Sequence, residues 1–140
     1  YEVSYQPAES NTYLFGGNSN WRGPIWFPTN YLMIESLSLF HSYFGDSLLV
    51  EYPTGSGNQV SLEHASFDLS KRLCNIFLKD SSNKRAFLGA NDLQQNDSNW
   101  CDHILFHEYF HGDDGSGIGA SHQTGWTSLV AKVLENVADH

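Results

Sequence analysis

The sequence predicts an all-α fold of about four helices joined by long Gly-rich loops, and three observations lead there. Apolar residues recur at helical spacing in separate stretches. Those stretches open or close on helix signals such as Pro28, Ser61 and Gly45-Asp46. The connections between them hold most of the 12 glycines. No internal repeat and no low-complexity linker interrupts the pattern.

The first helix is expected from about Thr29 to Phe44, opening after Pro28 and stopping at Gly45-Asp46, with Met33, Leu37, Phe40 and Phe44 on one face. Ser61 is placed to cap a second helix, in which Ala65, Leu69, Leu73 and Ile76 recur until Lys79-Asp80-Ser81-Ser82-Asn83 ends it. Asp97 or Ser98 would cap a third, shorter helix through Trp100, Ile104 and Leu105 towards Glu108. Trp126, Leu129, Val130, Val133, Leu134 and Val137 form the stripe of a fourth. Leu48 to Glu51 and Ala86 to Leu88 read either as short strands or as extended coil.

Composition removes several functions. Sixteen acidic against seven basic side chains give a net charge of −9, with no Lys/Arg cluster, the wrong field for phosphate backbones or anionic lipid. A nucleic-acid partner and a membrane-surface role are therefore not expected. No apolar run approaches the roughly 20 residues of a membrane span. Cys74 and Cys101 lack metal spacing and are expected as ordinary thiols in separate segments rather than a disulfide. Asn96-Asp97-Ser98 fits a glycosylation sequon, a triplet too common to fix the compartment.

His107-Glu108-Tyr109-Phe110-His111 supports two incompatible chemistries. Read as H-E-x-x-H on a helix, His107 and His111 would bind one Zn²⁺ and Glu108 would polarise the metal-bound water of a hydrolase. That reading needs the helix to run through both histidines and a third ligand to follow. Gly112 and the Asp113-Asp114-Gly115 turn signal come at once instead, and Asp114 and Gly117 occupy the Gly and His positions of the extended zinc motif. Glu135 is only a distant carboxylate. The expectation is that the chain holds no metal and no other cofactor.

The second chemistry rests on longer motifs. Glu108-Tyr109 ahead of a Gly/Asp loop, followed by His122-Gln123-Thr124-Gly125-Trp126-Thr127, resembles the C-terminal catalytic segment of glycoside hydrolase family 63. Upstream, Trp21-Arg22-Gly23-Pro24-Ile25-Trp26-Phe27-Pro28 looks like that family's W-R-G-P-x-W stretch. Pro53-Thr54-Gly55-Ser56-Gly57 and the run Ser70 to Leu78 look like the same branch, so the resemblance covers nearly the whole chain. Trehalases show a related arrangement. The resemblance implies part of an (α/α)6 barrel, in which helix pairs build the wall and loops at one end line the cleft. The family's catalytic domains are several times longer and this chain starts at Tyr1, so residues 1–140 are expected to be the C-terminal part of a single catalytic domain.

The resemblance also implies an inverting exo-α-glycosidase acting on a terminal glucose or mannose unit of an oligosaccharide or small glycoside. An inverting enzyme uses an acid that protonates the leaving oxygen and a base that deprotonates water on the opposite face. Glu108 matches the family's base. No stretch here matches the segment that carries the acid. Glu35 lies in a helix pattern, and Asp113 and Asp114 sit in a turn that explains them by local hydrogen bonding.

Trp21, Trp26 and Trp126 offer apolar faces for sugar rings and Arg22 offers fixed donors, while Trp100 reads as packing. Asn30, Tyr31, Tyr109, His111, His122 and Gln123 can hydrogen-bond sugar hydroxyls. For His111 and His122, bracing the Gly-rich turn explains a loop histidine equally well. If these residues form one cleft, Arg22 and Glu108 should stand within about 10 to 12 Å. Two rivals remain: the zinc hydrolase, and a non-catalytic carbohydrate-binding homologue suggested by the missing acid.

Overall fold

The computed structural model describes residues 4–9 and 23–139. Among these the chain is helix-rich with a few short strands, and its helices close no barrel. Three helices form the main layer: α1 (Phe27–Phe44), α2 (Leu62–Phe77) and α5 (Val130–Ala138), with α2 packed between the other two. Shorter elements complete it: the strands β1 (Leu49–Glu51), β2 (Gln59–Ser61), β3 (Tyr109–Phe110) and β4 (Gly117–Ile118), and the one-turn helices α3 (Asp92–Asn96) and α4 (Thr124–Thr127).

The helix α2 forms where its sequence says it should. Ser61 accepts a hydrogen bond from His64 N at 3.2 Å, satisfying one of the first-turn amides that lack an intrahelical partner. Ala65, Leu73 and Ile76 are buried along one stripe, and Leu69 packs against the same core. Phe77 closes the stripe, its ring centroid 5.2 Å from Phe87, 5.6 Å from Phe110 and 5.8 Å from Phe27. Such rings bury large areas, so this aromatic cluster dominates the core.

The first helix differs from its expected face. Pro28 lies inside its first turn, where a missing N–H costs nothing. Phe27 and Ile34 are the residues it buries, whereas Met33, Phe40 and Phe44 are exposed. The helix is apolar nearly all round, so periodicity does not choose its buried side. Small residues do: Ser66 Oγ donates to Ile34 O at 3.2 Å and meets Ser38 Oγ at 3.2 Å, letting α1 and α2 approach along the Ile34–Ser38 line.

The antiparallel hairpin of β1 and β2, with Val50 opposite Val60, joins α1 to α2. Leu48 to Glu51 thus does contain a strand. Ala86 to Leu88 is instead a 3-10 turn that buries Phe87 and Leu88. Buried Gln95 ties this turn down, its Nε2 donating to Arg85 O and Gly89 O while its Oε1 accepts from Arg85 N.

The third helix is displaced. It is α3, capped by Asn91 rather than by Asp97 or Ser98. Asp97 Oδ1 takes Asn99 N at 2.8 Å, two residues on, which makes an Asx turn in place of an N-cap. The chain beyond is irregular, and Trp100, expected as packing, is 46% exposed. The fourth helix is split after Thr127, with Thr127, Val130 and Val133 buried and Leu129, Leu134 and Val137 packed on the core. Cys74 is buried and Cys101 half-buried, both as free thiols.

Among the described residues no helix is long and apolar enough to cross a membrane.

Candidate functional site

Glu108 stands in a bend just before β3. Its N donates to Ala120 O at 3.0 Å, and its O accepts from Trp126 Nε1 at 2.9 Å. The neighbouring Phe106 N donates to Ser121 O, and Phe106 O accepts from Gln123 N. His107 O accepts from Thr127 Oγ1 at 2.5 Å. The Gly-rich loop therefore folds back along residues 106–108, and β3 pairs with β4 to continue the return. Gly119 is needed at this close approach. Its φ is +75°, and a Cβ there would stand 2.2 Å from Glu108 Oε2.

The stretch before α1 reaches the same place. Ile25 and Phe110 exchange two backbone hydrogen bonds, Ile25 N to Phe110 O at 3.2 Å and Phe110 N to Ile25 O at 2.9 Å. The rings of Trp26 and Trp126 meet edge-on with centroids 5.9 Å apart. Glu108, Trp26 and Trp126 are thus brought together from three separate segments. Trp21 and Arg22 lie outside the described residues, as does the expected separation of Arg22 from Glu108.

Tyr109 is only 2% exposed, and its ring lies so close to Gly23 that a Cβ there would stand 1.9 Å from it. Burial raises its hydroxyl pKa, and the carboxylates of Glu9 and Glu108 add to the rise. Glu9, which hydrogen-bonds this hydroxyl, carried no signal in the sequence. Gln123 is half-buried, while His122 is exposed and is held beside Phe106 by a backbone bridge. Asn30 Nδ2 donates to Trp26 O at 2.9 Å in the first turn of α1. Tyr31 packs on the core with its pKa raised, first by burial and then by the charge of Glu35. Asn30 also lines a cleft of about 390 Å³ with Arg72, Asn75 and Asp113, to which Glu108 does not contribute.

The two histidines of the H-E-x-x-H pattern do not share a helix face. Residues 107–111 form a bend and the strand β3 rather than a helical turn, so the geometry that the pattern needs does not form. His111 Nδ1 accepts from the amides of Asp113 and Asp114 and faces the Asp114 carboxylate at 3.3 Å, so this histidine braces the turn. Asp114 in turn caps Ser116 N at 2.8 Å, and its pKa is lowered by the hydrogen bonds from Ser116 and by His111. Asp113 accepts from Tyr5 OH at 3.1 Å. His107 lies between Phe87 and Phe110, and burial lowers its pKa against a hydrogen bond to the Gly119 backbone. Among the described residues no group of three or more His, Cys, Asp or Glu is arranged to hold a metal.

Comparison with known proteins places the chain in a distant, glycosidase-like relation. It is 26% identical over 122 residues to the mannosyl-oligosaccharide glucosidase of Saccharomyces cerevisiae, covering 86% of this chain and 11% of that enzyme. An uncharacterized protein of the same yeast is 45% identical over 139 residues, covering 98% of this chain and 13% of that protein. The chain thus spans about an eighth of the length of these relatives. No protein-family model matches it. No solved structure matches it either.

Proposed function

We propose that this chain is the C-terminal part of an inverting exo-α-glycosidase that removes terminal α-linked glucose or mannose, with Glu108 as the general base. The observation that carries this reading is the setting of Glu108. Its amide and carbonyl are both tied into the loop, its carboxylate lies over a residue with no side chain, and the Trp26–Trp126 pair stands beside it. A base must hold one water in line with the anomeric carbon, which demands a carboxylate fixed in direction. The distant glucosidase relation supports the same chemistry.

The acid is then a carboxyl group supplied by a part of the catalytic domain outside these 140 residues. The outward face of α1, where Met33, Leu39, Phe40 and Tyr43 are exposed, is the surface on which further barrel helices would pack. Gln123, half-buried on the loop that returns along Glu108, borders the sugar. Glu108 and the water it activates lie on the ring face opposite the leaving group, which leaves inverted stereochemistry.

The test is the stereochemistry of turnover by the protein as its gene encodes it. With p-nitrophenyl α-glucoside or α-mannoside, proton NMR should detect the β-anomer as the first product. An α-anomer formed first would contradict inversion. Sugar binding without any hydrolysis would replace the enzyme reading with a carbohydrate-binding one.

A further inference from the structure

Two neighbouring side chains of α4 hold two consecutive carbonyls of the segment that carries Glu108. Thr127 Oγ1 donates to His107 O at 2.5 Å, and Trp126 Nε1 donates to Glu108 O at 2.9 Å. Between these two carbonyls, Glu108 N is bound to Ala120 O. The paired residues of β3 begin only at Tyr109, so regular sheet pairing does not orient Glu108 itself.

The Thr127 bond is unusual for its place. Threonine in a helix commonly turns its hydroxyl back to a carbonyl of the preceding turn. Here the hydroxyl leaves its own helix for a residue 20 positions away, from a side chain with 0% exposure. Trp126 likewise spends its indole N–H on backbone, while its ring edge meets Trp26.

We infer that Thr127 and Trp126 are positioning residues for Glu108, clamping the carbonyls on both sides of its amide so that the carboxylate keeps its direction. This rests on the reading of Glu108 as the general base. Neither residue need touch the sugar for the clamp to act. A misplacement of about 1 Å at a reacting group can cost roughly a hundredfold in rate, so a backbone clamp is felt in kcat rather than in substrate affinity.

The test uses the protein as its gene encodes it and an α-glycosyl fluoride, whose leaving group needs no proton, so that the rate reports the base and not the acid. Thr127→Val keeps the volume and removes the hydroxyl; Trp126→Phe keeps a ring and removes the N–H. Both should lower kcat by about tenfold to a hundredfold, with KM unchanged within about twofold. Thr127→Ser, which keeps the donor, should restore most of kcat. A wild-type kcat in Thr127→Val overturns the clamp, as does a Thr127→Ser no better than Thr127→Val. A rise in KM alone in Trp126→Phe would mark that ring as a sugar platform instead and overturn its role here. Should Thr127→Val fail to fold, Trp126→Phe and Thr127→Ser decide between the same outcomes. Glu108→Gln separates the two layers of the reading. An inactive Glu108→Gln beside a fully active Thr127→Val overturns the clamp alone, whereas near-normal turnover by Glu108→Gln removes the base and the clamp together.

Discussion

In the helical layer Phe27, Ile34, Leu73, Phe77 and Val133 are sealed by apolar contact, whereas the backbone of residues 106–108 is held by hydrogen bonds with the returning loop and with α4. The first kind of restraint scales with buried area and tolerates changes of shape. The second is directional, and it sets where one side chain points. A catalytic carboxylate needs the second kind, supported by a rigid layer that supplies the first. Stability and activity should therefore respond to different substitutions.

The largest stability effect belongs to the layer. Phe77→Ala removes a ring that meets Phe27, Phe87 and Phe110, and chemical denaturation should report a loss of about 3–5 kcal/mol. A loss below about 1 kcal/mol would mean that the aromatic cluster is not the core.

Gly119→Ala sharpens the contrast. With φ at +75° and a Cβ 2.2 Å from Glu108 Oε2, it should cost about 1–2 kcal/mol of stability. The displaced carboxylate should lower kcat by about tenfold to a hundredfold. Equal stability loss with full activity would break the link between this loop and the chemistry.

Ser61→Ala tests the layer at its edge. Loss of the bond to His64 N should cost about 1 kcal/mol, visible in the unfolding midpoint, with kcat unchanged.

The smallest effect is in pH. Burial holds His107 below its ordinary value, so between the folded pKa and about 6.5 the unfolded chain binds more protons than the folded one. The stability contributed by neutral His107 is complete above about 6.5 and is lost as pH falls through that window. The stability profile of His107→Gln should be flatter there than that of the wild type. An identical slope would contradict a buried, neutral imidazole.

What the sequence disclosed follows the same division. The stripe of α2 and its cap at Ser61 were legible because both are local, a period and a hydroxyl three residues from its partner amide. The buried face of α1 was not, since the Ser38–Ser66 contact that selects it joins two helices. The helix expected from Asp97 failed because an aspartate can serve an Asx turn as readily as an N-cap, and the choice made by Asn99 leaves no periodic trace. The motif singled out Glu108 and the Gly-rich loop after it, but not how that loop folds back along residues 106–108. The bonds from Thr127 and Trp126 span 20 and 18 residues and could be read only once the chain was folded.

The central claim is that Glu108 activates the water. Its most direct test is single-turnover hydrolysis by Glu108→Gln in the protein as its gene encodes it, with substrate binding measured beside it. Glutamine keeps the shape and the contact with Gly119 but cannot take a proton, so the account predicts a rate lowered by at least about a hundred- to ten-thousandfold and a dissociation constant within a few-fold of the wild type. A Glu108→Gln protein that turns over at a near-normal rate would contradict it.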